Sequence, residues 1–294
     1  MKLTAQHLAK TIAGKQVLSQ LDFTWQTGEI VGLVGRNGAG KTTLMRTLVD
    51  QYHADHGQVA IDGRNLAEAP QARQNLIYID PTEVFFTRMN LAKIAQYYAA
   101  GYPHFDQNRY RSLLAANDLP LTKRYGELSK GYQALVVMAL NLASAVPLIL
   151  LDEPFDGLDL FIRETIVKAV IEEVAAGERG FLIASHDLAE LDGLADRVLF
   201  LKRGTISRAV ALEQVRSEAA KLQLVFATNQ IPAVVRDRGQ ILNIQGRVIT
   251  ALFPAYTSVV KAALTAAQPV LMEVLPLSLS DLFRSEYAGE VRHG

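Results

Sequence analysis

The chain of 294 residues contains no cysteine. That excludes disulfides, cysteine-ligated zinc and thiol catalysis, and leaves the compartment open. It also lacks net charge, because Lys+Arg and Asp+Glu both number 30. A neutral chain has no electrostatic footprint for a polyanion, so nucleic acid is not expected as a partner. No polybasic run points to an anionic membrane surface. The N-terminus, Met1-Lys2-Leu3-Thr4-Ala5-Gln6-His7, lacks the apolar core of a signal peptide, which predicts a cytoplasmic protein. Internal repeats and low-complexity stretches are missing as well.

Long apolar runs are scarce. One, Ala134 to Leu151, approaches the length of a membrane span. Pro147 would break a spanning helix there, and Asp152 and Glu153 follow at once. The run divides better into a buried helix ending near Ala145 and a buried strand from Leu148 to Leu151.

Apolar residues make up 49% of the chain, enough for a sizeable core and against disorder. The length fits one large domain and a smaller one. Residues 1–34 read as strands with a hairpin-like start, ending in Glu29-Ile30-Val31-Gly32-Leu33-Val34 before a glycine-rich loop. Lys41 to Gln51 is helical, with Leu44, Leu48 and Val49 on one face. Gln58–Ile61 and Leu76–Ile79 are short strands, and 88–145 is helical. From Leu148 strands alternate with helices: Leu148–Leu151, Phe181–Ala184 and Val198–Leu201 are the strands. This alternation predicts a parallel sheet with crossover helices, interrupted by the helical insert at about 88–145.

Lys202-Arg203-Gly204-Thr205 is a turn that closes the region. Ala211–Ala220 is a linking helix. Beyond it lie strands at Leu222–Ala227, Gln240–Asn243, Arg247–Leu252 and Val270–Val274, with a helix at Thr257–Ala267. A last helix, Ser278–Tyr287, has Ser280 or Ser278 as its cap. The prediction is an α/β domain over 1–208, followed by the linking helix and a small α+β domain over 209–294.

Gly35-Arg36-Asn37-Gly38-Ala39-Gly40-Lys41-Thr42 fits the phosphate-binding pattern G-x-x-x-x-G-K-[ST], between a strand and a helix as the motif requires. Its glycines let backbone N–H groups turn toward phosphates, and the helix N-terminus adds its dipole. Lys41 supplies a point charge for the β- and γ-phosphates, and the Thr42 hydroxyl can ligate Mg²⁺. Leu148–Leu151 ends in two acids, which make sense if Asp152 faces Mg²⁺ and Glu153 faces an attacking water as general base. His186 follows the strand Phe181–Ala184 and Ser185, and ligands collect at such carboxyl ends.

Taken together these motifs resemble the ATP-binding subunits of ABC transporters. Gly35–Thr43 resembles a Walker A loop and Leu148–Glu153 a Walker B strand with its glutamate. Pro154-Phe155-Asp156-Gly157-Leu158-Asp159 resembles the D-loop. His186 stands where the family has its switch histidine, and Leu128-Ser129-Lys130-Gly131-Tyr132-Gln133 resembles the signature sequence. The resemblance spans residues 1 to about 208. It implies a P-loop ABC-type ATPase fold and ATP hydrolysis with ATP and Mg²⁺ as cofactors. It implies ATP contacts from Gly35, Arg36, Asn37, Gly38, Ala39, Gly40, Lys41, Thr42 and Thr43. Two such domains pair head to tail in the family, so Ser129, Gly131 and Asp159 of one copy would close on the ATP of the other. Membrane-spanning subunits would be separate chains, with this one peripheral on the inner face of the cell membrane.

Three positions depart from the pattern. Lys130 replaces the commonest glycine, in a form that resembles the ABC-2 exporter group. Tyr78-Ile79-Asp80-Pro81-Thr82-Glu83 lacks the expected Q-loop glutamine, so Glu83, Asp80 or water is left to serve the metal. The adenine-stacking aromatic aligns with Ile12. The tail, Pro276-Leu277-Ser278-Leu279-Ser280-Asp281-Leu282-Phe283, also resembles the exporter group. The expectation is an exporter ATPase acting as a homodimer; the alternatives are an uptake ATPase and a soluble ABC ATPase acting on DNA or ribosomes.

Overall fold

A computed structural model describes residues 1–80 and 84–282. They form two compact units, Met1–His186 with Leu194–Ala209, and Asp187–Gly193 with Val210–Gly294.

The first unit begins with β1 (Lys2–Ile12) and β2 (Lys15–Gln26), an antiparallel pair. Next come β3 (Ile30–Val34) and, after the glycine-rich loop, α1 (Lys41–Leu48). β4 (His56–Ile61) and β5 (Arg64–Asn65) return to the first sheet, giving the order β2-β1-β4-β5. β6 (Leu76–Tyr78) precedes the helical insert of α2 (Leu91–Gly101), α3 (Gln107–Ala115) and α4 (Lys130–Ala143). Then β7 (Leu148–Asp152), α5 (Leu160–Ala175), β8 (Gly180–Ser185), β9 (Arg197–Lys202) and β10 (Thr205–Ala211) follow, with α6 (Leu188–Asp192), between β8 and β9 in sequence, belonging to the second unit.

The second sheet has the order β10-β9-β3-β8-β7-β6. β3, β7 and β8 are buried at every residue, as their unbroken apolar sequences require of parallel strands covered on both faces. They pair in parallel, with Val34 beside Ser185 and Asp152 beside Ala184. The carboxyl ends of all three therefore meet at one edge. α1 buries Leu44, Met45 and Leu48 in a cluster with Leu33, Leu150 and Leu182 of this sheet and Leu3, Leu18, Leu21 and Trp25 of the other.

The apolar run 134–151 divides between α4 and β7. Ala145, at φ 56°, turns the chain between them. Among the described residues no helix is long and apolar enough to cross a membrane. α1 stops at Leu48, short of Gln51, because Asp50 adopts φ 57° and turns its carboxylate to His53 Nδ1 at 2.7 Å and to Arg73.

In the second unit, α7 (Leu212–Glu218), β11 (Ala220–Val225), α8 (Ala233–Arg238), β12 (Gln240–Gln245), β13 (Val248–Phe253), α9 (Ser258–Ala266) and β14 (Leu271–Leu275) make an α+β fold. The sheet is antiparallel in the order β12-β13-β11-β14. Leu222, Leu224, Ile249, Ala251 and Phe253 pack against Val235 of α8 and Val260 and Leu264 of α9. After β14, helix begins at Leu279, and Ser278 is the cap: its Oγ accepts from Asp281 N at 3.3 Å. Lys221 Nζ reaches the buried Asp281 at 2.9 Å. The rest of the expected Ser278–Tyr287 helix lies outside the described residues.

The turn Lys202-Arg203-Gly204-Thr205 joins β9 to β10 with φ 50° at Arg203 and 77° at Gly204, both positive as a tight primed hairpin turn demands. A Cβ on Gly204 would stand 2.2 Å from the Val17 carbonyl oxygen, and the Gly204 carbonyl accepts from Ser19 N at 2.8 Å. Gly204→Ala is expected to destabilise the first unit by at least about 2 kcal/mol, from the left-handed backbone and the clash together. Denaturant unfolding followed by Trp25 fluorescence measures this.

Candidate functional site

The site assembles where β3, β7 and β8 end. β3 runs straight into Gly35, and Gly40, at φ 106°, opens α1 without a side-chain cap. Arg36 through Thr43 line a cavity of about 380 Å³ together with Val17, Asp152 and Glu153. The first turn of α1 thus presents its free N–H groups to that cavity, a setting suited to phosphate.

Lys41 is only 8% exposed. Its Nζ donates to the Gly35 carbonyl at 2.9 Å and lies 3.3 Å from Glu153 Oε1. The Thr42 hydroxyl donates to Asp152 Oδ2 at 2.7 Å. Asp152 is nearly buried, and burial is the main cause of its raised pKa, with the Thr42 and Tyr78 hydrogen bonds pulling the other way. Its second oxygen, Oδ1, is buried without a hydrogen-bond partner. That orphaned oxygen beside a hydroxyl is the hard-oxygen donor set that magnesium takes.

Glu153 adopts φ 47°, an uncommon conformation for a residue with a side chain, held by its N–H to the Ala184 carbonyl at 2.8 Å. The twist carries its carboxylate to the end of β8. There Oε2 meets His186 Nδ1 at 2.7 Å and accepts from His186 N at 3.1 Å. The hydrogen bond to Glu153 and its charge raise the His186 pKa above the ordinary 6.5. The chain therefore brings Lys41, Thr42, Asp152, Glu153 and His186 to one place.

Ser129, Gly131 and Asp159 lie elsewhere. Ser129 caps α4, its Oγ accepting from Tyr132 N at 3.4 Å, and Asp159 caps α5 by accepting from Ile162 N at 3.0 Å. The two helix starts pack together: a Cβ on Gly131 would meet Ile162 Cγ1 at 3.2 Å, and Lys130 Nζ reaches Asp156 at 3.1 Å. Ile12 sits at the exposed end of β1, paired with Lys15, and Val17 of β2 lines the cavity instead. Glu83 lies outside the described residues. The competing Asp80 is engaged by Arg46, with Nε at 2.8 Å and Nη2 at 2.6 Å.

Sequence reasoning passed over Val17, Arg46 and Tyr78. Tyr78 left one signal: a hydroxyl at the end of an otherwise apolar strand, near where a site was already expected. Val17 left none, because only the register of β2 sets it beside the loop.

A strand–loop–helix phosphate cradle, with Asp152 and Glu153 at the end of a parallel strand one place beyond its neighbour in the same sheet, defines a P-loop ATPase. A model of the ABC transporter family matches residues 18–156. The ABC transporter ATP-binding protein YtrB of Bacillus subtilis (strain 168) is 32% identical over 287 residues, 98% of this chain and 98% of the relative. The lipopolysaccharide export system ATP-binding protein LptB of Escherichia coli (strain K12) is 31% identical, covering 74% of this chain and 95% of the relative. The aliphatic sulfonates import ATP-binding protein SsuB of Corynebacterium glutamicum is 33% identical, covering 71% and 84%. A solved ATP-binding subunit of an ABC transporter superposes with a TM-score of 0.67 at 27% identity, over 74% of this chain and 92% of that one. The chain belongs to the ATP-binding proteins of the ABC transporter family, and its activity is ATP hydrolysis as a transporter subunit.

The His186–Glu153 contact has a definite pH sign. Because His186 is raised by its partner, the charged pair is complete below the ordinary 6.5 and is lost as pH rises through the raised value. An NMR titration of the His186 ring is expected to show a midpoint above 6.5 that falls back toward it in Glu153→Gln.

Proposed function

We propose that this chain is the ATPase of an exporter, working with membrane-spanning subunits on separate chains as a head-to-tail homodimer at the inner face of the cell membrane. Residues 1–208 would be the motor and 209–294 an accessory domain. The observation that carries the reading is the convergence of Lys41, Thr42, Asp152, Glu153 and His186 at one strand edge, while Ser129, Gly131 and Asp159 cluster at two helix starts. A second copy turned about a two-fold axis supplies the missing half of each site.

The roles follow from the geometry. The loop amides and Lys41 hold the β- and γ-phosphates, Lys41 exchanging its Glu153 contact for phosphate oxygen. Thr42 and Asp152 would hold magnesium, which would neutralise phosphate charge. Glu153 takes the proton of the attacking water, and His186 orients Glu153 and the transferred phosphate. Ser129 and the N-terminus of α4 add N–H groups and a positive dipole from the partner copy.

Export is favoured over uptake by Lys130 and by the tail, both of which resemble the ABC-2 exporter group. Relatives of both directions carry the same ATPase core, so the core itself does not decide. Phe85 and Tyr97, 56% and 58% exposed with ring centroids 4.7 Å apart, form an exposed aromatic pair that suits an apolar contact with a membrane subunit.

Three experiments test this reading. Lys41→Ala is expected to abolish ATP hydrolysis with the fold retained by circular dichroism, a loss of at least about a hundredfold. Glu153→Gln is expected to sediment as a dimer with ATP and as a monomer without it; a monomer in both at high concentration removes the two-copy mechanism. Phe85→Ala with Tyr97→Ala should leave basal hydrolysis in place and weaken co-purification with the membrane subunit.

A further inference from the structure

Strand β6 runs Leu76-Ile77-Tyr78 in parallel register with Leu148, Ile149 and Leu150 of β7. Tyr78 therefore sits beside the strand that ends in Asp152. Its ring packs against the main core cluster, and its hydroxyl emerges between two carboxylates, 3.2 Å from Asp152 Oδ2 and 3.3 Å from Asp80 Oδ2. A phenol has one proton to donate, so it serves one of the two at a time.

The surroundings decide which. Asp80 Oδ2 already accepts from two nitrogens of Arg46. Arg46 is itself fixed, with Nη1 2.6 Å from the Tyr52 hydroxyl and its guanidinium 5.4 Å above the Tyr52 ring. The Asp80 charge is matched by a buried cation, which leaves Asp152 the more demanding acceptor for the Tyr78 proton. Asp152 Oδ2 then receives two hydroxyl donors, Thr42 and Tyr78, while Oδ1 receives none. A carboxylate turns freely about its last torsion, which is broad and roughly two-fold. Two donors converging on one oxygen stop that turning and leave the other oxygen without a partner.

We propose that Tyr78 is a positioning residue for the metal-binding aspartate: its hydroxyl, braced by the Asp80–Arg46 pair, holds the Asp152 carboxylate in one orientation beside Thr42. The inference rests on the metal role proposed above for Asp152. It gives α1 two grips on one carboxylate. Thr42 holds it directly, and Arg46, four residues later on the same face of the helix, holds it through Asp80 and Tyr78. It also gives Asp80 a use other than metal ligation: the buried acid anchors the brace.

Tyr78→Phe deletes the hydroxyl and keeps the ring. With ADP bound, Mn²⁺ affinity measured by electron paramagnetic resonance is expected to fall about tenfold, as when other groups that orient a metal ligand are removed. The magnesium concentration for half-maximal hydrolysis should rise by a similar factor. ADP binding in excess EDTA should stay at the wild-type value, because no metal is involved. Tyr78→Leu should show the same metal defect with a lower melting temperature besides, which separates the hydroxyl from the packing of the ring. Wild-type Mn²⁺ affinity in Tyr78→Phe overturns the proposal, and so does an equal loss of ADP binding with and without metal. Asp152→Asn distinguishes the levels. If it weakens Mn²⁺ binding while Tyr78→Phe does not, only the positioning role fails. If it leaves Mn²⁺ binding unchanged, the metal assignment and this inference fall together.

Discussion

Parallel pairing of β3, β7 and β8 brings the phosphate loop, Asp152, Glu153 and His186 to one edge. Each strand is buried on both faces, so its register is fixed by packing and cannot slip by one residue without turning a full set of apolar side chains the wrong way. Because the three run in one direction, their carboxyl ends meet. β3 delivers the phosphate loop, β7 delivers Asp152 and Glu153, and β8 delivers His186. The polar groups stand at the rim of an apolar sheet, where the backbone has just left its ladder and side chains can point at a ligand.

Charge at that rim is balanced in pairs. Lys41 lies against Glu153, Glu153 against His186, and Arg46 against Asp80. Three acids this close would repel one another without their cations, and burial alone already raises Asp152. The balance also makes the site responsive. Under the proposed function, phosphate would compete with Glu153 for Lys41, and a divalent ion would offset the burial of Asp152. The positive φ of Glu153 belongs to the same arrangement, since it aims the carboxylate across to β8.

The two helix starts at Ser129 and Asp159 follow a different logic. Their caps satisfy local backbone donors, and Gly131 allows α4 and α5 to approach closely, so the pair is a rigid ledge. Lys130 and Asp156 tie its two sides. A ledge of helix N-termini suits an anion, and the phosphate cavity of the same chain draws its lining from other residues.

Much of this was legible in the linear chain, for physical reasons. A glycine-rich loop between an apolar strand and an amphipathic helix is specified by local conformation, so Gly35–Thr43 could be read directly. Asp152 and Glu153 were conspicuous because charge ends an apolar run, and Pro147 with its neighbours marked where helix gave way to strand. The strands and helix of the small α+β unit showed in their apolar runs, while their antiparallel pairing did not. Other features depended on distance in sequence. Tyr78 and Asp152 are linked by strand pairing across the whole helical insert, and Arg46 finds Asp80 only once α1 and β6 share a core. Val17 joins the cavity through the register of β2, and Ile12 lies exposed at its strand end for the same reason. Local sequence determined which groups could do phosphate chemistry. Tertiary structure decided which oxygen of Asp152 is free, because that depends on donors brought from two separate elements by packing.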